Sequence, residues 1–393
     1  MKLAIVTDTF PPDVNGVAMT LERFAAGLIG RGHALEVIHP GVSGVSGEDR
    51  RGGFTEVCVP GFALPRYAFA RLGWPRPVFL HRRWRAQRPD VIYLATEGLL
   101  GYSALRAARK LQIPVVSGYH THFPQYLSGY QLGLLGPLLL RYLRKLHNAT
   151  ALTLVPTEDT RQLLTRQGFH HVEIVERGVD TDLFHPGHRE RTLRQRWGAG
   201  PADIVLLHVG RVAAEKNLAL VFQAWDLVRA QHPGAKLVLA GDGPQRAQWA
   251  AKYPDAIWTG FLTGVDLAEA YASADLMLFP SRTETFGNVL LEGMASSLVT
   301  VSYHLAASRR FVDPGVNGFA ASQETDDAFL RQVLRALRER RRWPQIAEAA
   351  RLSVQPQSWS RITCVFESWL LKAAQHEYSA PPTPPRLPLP FSV

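Results

Sequence analysis

Short apolar runs alternate with amphipathic, helix-like segments twice along this 393-residue chain, and this alternation limits the possible folds severely. The strand-like runs of the first series lie at residues 3–7, 35–39, 91–95, 115–119 and 152–156. Those of the second series lie at residues 204–209, 236–240, 256–259, 276–279 and 299–302. Strands that alternate with helices form parallel sheets with helices on both faces. Because a chain of this length exceeds what one hydrophobic core supports, we predict an α/β protein with two Rossmann-like domains.

The order of these segments predicts where each domain begins and ends. Residues 1–183 are expected to form the N-terminal domain and residues 184–356 the C-terminal domain. A last helix within residues 357–376 is expected to cross back to the N-terminal domain. Residues 377–393 include six prolines from Pro381 onward, and we predict that this tail is disordered.

The composition excludes several classes of protein. With 46% hydrophobic and 20% charged residues, the chain is neither disordered overall nor fibrous. No stretch approaches the roughly 20 uncharged apolar residues that a membrane-spanning helix needs. The segment from Met1 to Asp8 runs directly into a strand and a polar loop, so we expect no secretory leader. Cys58 and Cys364 show neither metal-ligand spacing nor a disulfide framework, and we expect reduced thiols in the cytoplasm.

The net charge of +10 is distributed unevenly. Between Val57 and Pro89 there is no acidic residue, and the arginines there are Arg66, Arg71, Arg76, Arg82, Arg83, Arg85 and Arg88. Aromatic residues are interleaved with them. Basic groups are attracted to anionic lipid, and amphipathic aromatics lie at the level of the headgroups. The Arg66–Arg88 region therefore suggests peripheral binding to the cytoplasmic face of the inner membrane, and nucleic acid is not expected as a partner. A solvated helix whose aromatic side chains face the core is an equally weighted alternative.

Two carboxylates, Glu284 and Glu292, lie around the start of a predicted helix. The apolar run at residues 275–281 is typical of a strand buried on both faces. The backbone N–H groups of residues 286–290 are then expected to point into the ligand crevice at the carboxyl end of that strand. Eight residues at helical rise cover about 12 Å, so one acid can bind a sugar and the other a ribose on either side of a diphosphate. From the spacing alone, two solvated surface charges are an equally good interpretation.

Further candidate residues follow other predicted strands. Arg211 and Lys216 lie in a strand-to-helix turn, where two cations can hold a diphosphate and neutralise its charge as it leaves. Gly16 lies in the turn after the first strand and permits close approach of a phosphate or sugar, although an ordinary turn explains it nearly as well. His120 ends another strand and suits the binding of a sugar hydroxyl; with His122 it lacks further ligands for a metal site. The P-loop, the Gly-x-Ser-x-Gly motif and the His-Glu-x-x-His motif are absent from the sequence.

Together these residues resemble one family, the retaining glycosyltransferases of the GT-B class that carry the Glu-x7-Glu motif (glycosyltransferase family 4 type). The motifs follow the order of that family from Asp8-Thr-Phe-Pro-Pro12 to Pro314-Gly-Val-Asn-Gly-Phe319. Within it, the chain is most similar to bacterial GDP-mannose-dependent α-mannosyltransferases and related lipid glycosyltransferases. The resemblance implies two Rossmann-like domains that face each other across a cleft. It also implies that the second domain binds the nucleotide sugar, the first binds the acceptor, and no metal or other cofactor is needed.

Carried over residue by residue, the resemblance implies four catalytic residues, which are His120, Arg211, Lys216 and Glu284. Arg211 and Lys216 hold the donor diphosphate, and Glu284 binds hydroxyls of the transferred sugar. Glu292 binds the ribose, while Gly16 and His120 approach the diphosphate and the sugar from the first domain. The remaining donor contacts come from Phe286, Gly287, Asn288, Val289 and Leu290.

The chain departs from the family pattern at three places. Asn15-Gly16 replaces two adjacent glycines, so the contact of that loop with the donor is open. Residues 294–300 replace the commoner Met-Ala-x-Gly-x-Pro-Val form, and we expect a different backbone there. Residues 303–310 replace a glycine-rich stretch, which is expected to alter the choice of donor. No departure removes a charged donor contact.

The sequence therefore predicts a glycosyltransferase that moves a hexose of the mannose or glucose type, with retention, to a lipid or glycan hydroxyl. Three alternatives are other enzymes: a UDP-hexose-dependent transferase with a soluble or polysaccharide acceptor, a nucleotide-sugar epimerase of the same architecture, and a glycogen-type phosphorylase. A sugar- or membrane-binding protein without activity is a further alternative.

Overall fold

The computed structural model describes residues 1–13, 15–41, 47–64, 67–120 and 136–375. They divide into two compact units, the first comprising Met1–Arg177 and the helix that starts at Trp359, the second comprising Gly178–Ser358. This division lies slightly before the predicted boundary at 183/184. The proline-rich tail, predicted to be disordered, lies outside the described residues. Each unit is built on its own parallel sheet.

The first unit contains a large sheet and a small hairpin within its described ranges. Its strands are β1 (Lys2–Val6), β2 (Ala34–Pro40), β3 (Gly47–Arg51), β4 (Phe54–Val59), β5 (Gly61–Leu64), β6 (Tyr67–Gly73), β7 (Val91–Leu94), β8 (Val115–Gly118), β9 (Leu152–Val155) and β10 (Val172–Ile174). Its first helices are α1 (Gly16–Gly30), α2 (Pro77–Ala86), α3 (Leu99–Lys110), α4 (Gly136–His147) and α5 (Glu158–Arg166). The strand order is β10-β9-β8-β7-β1-β2-β4-β3. Only the β3–β4 pair in this sheet is antiparallel among the described strands, and β5 pairs with β6 as a separate antiparallel ribbon.

The first sheet is buried on both faces, as its apolar strands predict. Along β1, Leu3 and Ile5 belong to one apolar cluster, while Ala4 and Val6 belong to another on the opposite face. The sequence signal for β3 to β6 is weak, and we did not predict strands between residues 47 and 73.

The second unit contains a parallel sheet with the order β13-β12-β11-β14-β15-β16. Its strands are β11 (Val205–Val209), β12 (Lys236–Ala240), β13 (Ile257–Gly260), β14 (Leu276–Phe279), β15 (Val299–Tyr303) and β16 (Phe319–Ala321). Its helices are α6 (Arg191–Arg196), α7 (Leu218–Gln231), α8 (Arg246–Lys252), α9 (Gly264–Ser273), α10 (Asn288–Ala295), α11 (Ala307–Phe311), α12 (Asp326–Arg338) and α13 (Trp343–Val354). Each of the ten strand-like runs predicted from the sequence coincides with a strand of one sheet or the other.

The last helix, α14 (Trp359–Ala374), packs on the first unit. The rings of Phe24 on α1 and Phe366 on α14 stack with centroids 4.1 Å apart. Arg31 Nε and His33 Nε2 each lie 2.5 Å from a carboxylate oxygen of Glu367. Aromatic burial, the Arg31–Glu367 ion pair and the His33–Glu367 contact therefore hold the end of the described chain against its beginning. Within the described ranges no helix is long and apolar enough to cross a membrane.

Candidate active site

Two cations follow β11 at the carboxyl edge of the second sheet. The chain leaves the strand at Gly210, forms a 3-10 turn at Ala214–Lys216 and enters α7. The guanidinium of Arg211 pairs with Glu215, and 43% of the Arg211 side chain remains exposed. The Lys216 side chain is only 20% exposed. Arg211 therefore faces solvent, whereas Lys216 turns towards the loop after β14.

The structure brings Lys216 and Glu284 into direct contact. Nζ of Lys216 donates to Oε1 of Glu284, although 68 positions separate them in the chain. Burial raises the pKa of Glu284, but the charge and hydrogen bond of Lys216 outweigh it, with help from Ser281 and His208, and the pKa lies below its usual value. Glu284 is therefore an ionised acceptor at neutral pH, held beside a cation.

The loop between Glu284 and α10 forms a tight turn against the sheet. Gly287 precedes α10 with φ of 98°, and a Cβ there would lie 3.2 Å from the ring of Phe279. Both the left-handed backbone and the close ring contact favour glycine. Among the described residues no side chain caps the N-terminus of α10. The backbone N–H groups of Asn288 and Val289, in the first turn of this helix, therefore carry a partial positive charge at the carboxyl edge of the sheet.

Two of the predicted backbone contacts are used inside the protein. The carbonyl of Phe286 accepts from the N–H of Ala307 at 2.9 Å, and the Phe286 side chain is buried. The N–H of Leu290 donates to the carbonyl of Gly287 at 3.0 Å, and the Leu290 side chain lies in the core. These two residues shape the turn, so the N–H groups of Asn288 and Val289 are better placed for a ligand.

Glu292 lies one turn further along α10, where a tyrosine holds it. The hydroxyl of Tyr271 on α9 donates to Oε2 of Glu292 at 2.9 Å. Burial, together with the charge of Glu292, raises the pKa of Tyr271 well above its usual value, so the hydroxyl keeps its proton and acts as donor. Tyr271 was not predicted from the sequence, because a tyrosine within an apolar helix carries no motif.

His208 is a second residue of this site that the sequence analysis missed. Its Nδ1 donates to the carbonyl of Leu278 at 3.0 Å, while its buried Nε2 has no hydrogen-bond partner among the described residues. Burial lowers the pKa of His208 to about 4, and the charge of Lys216 contributes. A neutral imidazole therefore lies beside the Lys216–Glu284 pair.

Gly16 is the first residue of α1 in the first unit. Asn15 caps this helix, because its side-chain oxygen accepts from the N–H groups of Val17 and Ala18 at 3.0 and 2.9 Å. Among the described residues, nothing lies within 4 Å of a Cβ built on Gly16. Packing therefore does not require a glycine here, and the open space above the helix N-terminus suits a ligand.

His120 is buried at the end of β8, and both of its ring nitrogens have protein partners. The guanidinium of Arg177 donates to Nδ1 at 2.6 Å, so Nε2 carries the proton and donates to the hydroxyl of Tyr93 at 2.8 Å. Burial and the charges of Arg177 and His147 hold the pKa of His120 well below its usual value. The side chain is a fixed neutral imidazole, and sequence reasoning had missed its partner Arg177.

Two carboxyl groups that the sequence analysis did not select lie in the same unit. Asp8, after β1, accepts from the N–H of Gly73 and the hydroxyl of Thr96, each at 2.8 Å. Burial raises the pKa of Asp8 to about 6. Glu97 lies 3.2 Å from Nε2 of buried His147. Asp8 follows β1 and Glu97 follows β7, so both carboxyl groups lie at the carboxyl edge of the first sheet.

Comparison with known proteins decides the family. The model for Glycosyltransferase Family 4 matches residues 14–183, and that for Glycosyl transferases group 1 matches residues 203–339. The GDP-mannose-dependent alpha-mannosyltransferase of Mycobacterium tuberculosis (strain CDC 1551 / Oshkosh) is 34% identical over 364 residues, which cover 91% of this chain and 93% of that protein. The chain belongs to glycosyltransferase family 4. It is a glycosyltransferase, as the sequence predicted.

More distant relatives extend the comparison to lipid enzymes and to solved structures. The alpha-monoglucosyldiacylglycerol synthase of Streptococcus pneumoniae (strain ATCC BAA-255 / R6) is 28% identical over 317 residues, 77% of this chain and 71% of that protein. The sucrose-phosphate synthase of Thermosynechococcus elongatus superposes with a TM-score of 0.74 at 15% identity, covering 94% of this chain and 98% of that one. This likeness shows the GT-B fold, which confirms the predicted fold class.

At two of the departures from the family pattern, non-glycine residues adopt positive φ. Ser297, just after α10, has φ of 55°, and Ala306, before α11, has φ of 49°. Side chains disfavour this region by roughly 1–2 kcal/mol. Glycine would adopt this backbone more easily, although the sequence has no glycine at either position.

The basic segment of the first unit is divided between the core and the surface. Trp84 of α2 is buried, and Arg83 forms ion pairs with Glu36 and Glu48, so these two residues stabilise the unit. Trp74 and Val78 are 50% and 63% exposed. Part of the segment therefore packs into the core, as the second alternative predicted, and membrane binding by the exposed part stays a prediction. Arg66 lies outside the described residues.

Proposed function

We propose that this family 4 enzyme transfers mannose from GDP-mannose, with retention, to a hydroxyl group of a lipid-linked acceptor. The contact between Lys216 and Glu284 carries the proposal. It joins a cation suited to a leaving diphosphate to an anion suited to sugar hydroxyls, at the carboxyl ends of β11 and β14. An ion pair that only stabilised the fold would not have to lie at the carboxyl ends of these strands, where ligands bind in α/β proteins.

The second unit is proposed to bind the donor. Lys216 and Arg211 contact the diphosphate, and the N-terminus of α10 adds the N–H groups of Asn288 and Val289. As the bond between the sugar C1 and the diphosphate oxygen breaks, negative charge grows on that oxygen, and the two cations stabilise it. The acceptor oxygen bonds to C1 on the same face, and its proton passes to the leaving diphosphate, so no protein nucleophile is required.

Two carboxylates are proposed to select the donor. Glu284 accepts hydrogen bonds from hydroxyls of the transferred sugar through lone pairs that Lys216 does not use, and Glu292 accepts from the ribose diol. Lys216 and Tyr271 hold the two carboxylates in place before the donor binds. This order limits the loss of side-chain freedom on binding.

The first unit is proposed to bind the acceptor. Gly16 and His120 are the residues of this unit that the proposal assigns to the diphosphate and to the transferred sugar. Because Arg177 and Tyr93 occupy both imidazole nitrogens, we assign His120 a positioning role through its backbone and ring face.

The names of the relatives support the donor and acceptor classes. The mycobacterial relative is named for GDP-mannose, and the pneumococcal one for the synthesis of a glucosylated diacylglycerol. A surface pocket beside α2 is lined by Arg76, Phe79 and Arg82, among others. With exposed Trp74 and Val78, it offers apolar and cationic contacts to an anionic membrane that holds the acceptor.

Thermal unfolding with GDP, UDP, ADP and their sugars tests the donor. We expect GDP and GDP-mannose at micromolar concentration to raise the unfolding midpoint, because a ligand that binds only the folded state stabilises it. Stabilisation by UDP or ADP alone would contradict the GDP-mannose assignment. Release of GDP from GDP-mannose and incorporation of mannose into lipid extracts then test transfer.

Sedimentation with lipid vesicles tests the acceptor surface. We expect binding to vesicles that contain phosphatidylglycerol and little binding to phosphatidylcholine alone. The double variant Arg82→Glu/Arg85→Glu and the variant Trp74→Ser should each reduce binding at least tenfold. Phe261→Ser is the matched control, because Phe261 is 60% exposed in the second unit. Equal recovery with both lipids would contradict this part of the proposal.

A further inference from the structure

Three side chains with different metal-binding atoms converge on one face of the first sheet. Nε2 of His39 lies 2.8 Å from Oε1 of Glu56 and 4.0 Å from Sγ of Cys58. The three ligand atoms all lie within 4.8 Å of one another. We propose that His39, Glu56 and Cys58 form a binding site for Zn²⁺, separate from the donor-binding residues of the second unit.

Strand register holds these side chains together. β2 and β4 pair in parallel, with His39 beside Cys58 and Val37 beside Glu56. Since side chains alternate along a strand, Glu56 and Cys58 point to the same face of β4 as His39 does from β2. The hydrogen bonds of the sheet therefore fix the spacing of the three ligands, and sites built on strands are more accurate than sites on loops.

The hydrogen bonding of His39 prepares its other nitrogen for a cation. Nδ1 lies 3.2 Å from the carbonyl oxygen of Pro40, which can only accept, so Nδ1 carries a proton. Nε2 faces the carboxylate of Glu56 at 2.8 Å, so a proton or a metal cation must lie between the two atoms. A metal ion held by both groups would replace that proton. An imidazole that donates to a backbone carbonyl through one nitrogen and ligates through the other is the common arrangement at zinc sites.

The set of donors favours zinc over calcium or magnesium. It offers one nitrogen, one oxygen and one sulfur, which suits a borderline-soft ion, whereas Ca²⁺ and Mg²⁺ prefer oxygen alone. The carboxylate and the thiolate together balance the charge of Zn²⁺. Ligands about 2.0–2.3 Å from a tetrahedral centre lie roughly 3–4 Å apart, so Glu56 must move outward slightly. Its side chain is 30% exposed, which permits that movement and leaves a fourth position for water.

The position of the site gives it a structural effect. The ring of Phe10 packs against His39 with centroids 5.4 Å apart and against Phe54 at 6.3 Å. The carbonyl of Phe10 accepts from the N–H of Asp13 at 3.1 Å, in a turn shortly before Asn15, the cap of α1. Zinc bound to His39, Glu56 and Cys58 would therefore stabilise the turn below Gly16 as well as the β2–β4 pair.

Cobalt spectroscopy tests the site, because Co²⁺ bound to a thiolate absorbs in the near ultraviolet. We expect the intact chain to bind one Co²⁺ with this absorption and to lose it when Zn²⁺ is added. Cys58→Ser should abolish the thiolate band. The matched control Cys364→Ser should retain it, since Cys364 is the other free thiol and lies on α14. Glu56→Gln should weaken cobalt binding at least tenfold.

Thiol alkylation of the wild-type chain gives a test that needs no variant. Zn²⁺ should slow alkylation of Cys58 at least tenfold and leave Cys364 unchanged, as measured by peptide mass spectrometry. The chain contains 14 histidines, so zinc binding by itself is not decisive. Equal alkylation of Cys58 with and without Zn²⁺, or a thiolate band that persists in Cys58→Ser, would overturn the proposal.

Discussion

Replacing Lys216 by alanine should change how stability depends on pH. In the wild-type chain, Lys216 lowers the pKa of Glu284 below its usual value of 4.5. The ionised carboxylate therefore contributes stability that is present above pH 4.5 and is lost as the pH falls through the lower, folded-state pKa. Without Lys216, burial remains as the largest influence and raises the pKa of Glu284. The contribution then reverses: the ionised group destabilises at neutral pH, and a fall in pH relieves the effect.

The size of the loss follows from the burial of the pair. Removing one partner of a buried ion pair costs about 3–5 kcal/mol. Because Lys216 and Glu284 are 20% and 13% exposed, water screens part of the charge. We therefore expect a loss of about 2 kcal/mol at pH 7.5. In a domain of this size, that corresponds to a fall in the unfolding midpoint of about 4–8 °C.

Thermal unfolding from pH 5 to pH 7.5 checks this expectation. The gap between Lys216→Ala and the wild type should narrow as the pH falls, and Lys216→Ala/Glu284→Gln should recover about half of the loss at pH 7.5. Turnover should fall at least tenfold in both variants, about 1.4 kcal/mol, because neither supplies a cation to the leaving diphosphate. Lys252→Ala, at an exposed lysine of the same unit, is the control. A gap independent of pH would refute the electrostatic argument, and near-normal turnover at saturating donor would refute the catalytic one.

Three other predictions concern single residues. Burial raises the pKa of Asp8 to about 6, so its contribution to stability falls by up to about 3 kcal/mol as the pH rises from about 4 to 6. Asp8→Asn should lack this pH dependence in thermal unfolding. Parallel plots of unfolding midpoint against pH for the variant and the wild type would contradict it. Ser297→Gly should stabilise the folded protein by about 1 kcal/mol, because glycine accepts φ of 55° and the Ser297 hydroxyl has no hydrogen-bond partner among the described residues. Ser297→Ala keeps the backbone strain and should therefore gain less stability in the same assay. His120 should remain a neutral Nε2–H imidazole from pH 5 to 8 in nitrogen-15 NMR spectra, since its pKa is held low, and titration near pH 6.5 would disprove the Arg177 contact.

Parts of the site were visible in the sequence because they are local in the chain. The turn before α10 follows from Gly287 and the helix-forming residues after it, and β11 and β14 follow from continuous apolar runs. The roles of Tyr271, His208 and Arg177 were not visible. Each acts on a residue from another segment, and no local pattern shows that contact.

The sequence by itself determined the fold class, ten strands of the two sheets and the family, because these depend on periodicity, turn residues and the order of motifs. Tertiary structure decided which charges are paired. It placed Lys216 against Glu284 and left Arg211 with Glu215, since strand order controls which loops meet. It also set His39 beside Cys58 through the register of β2 and β4. The spacing of the two cysteines in the sequence had indicated no metal site. Contacts between distant segments depend on register and burial, which no short stretch of sequence records.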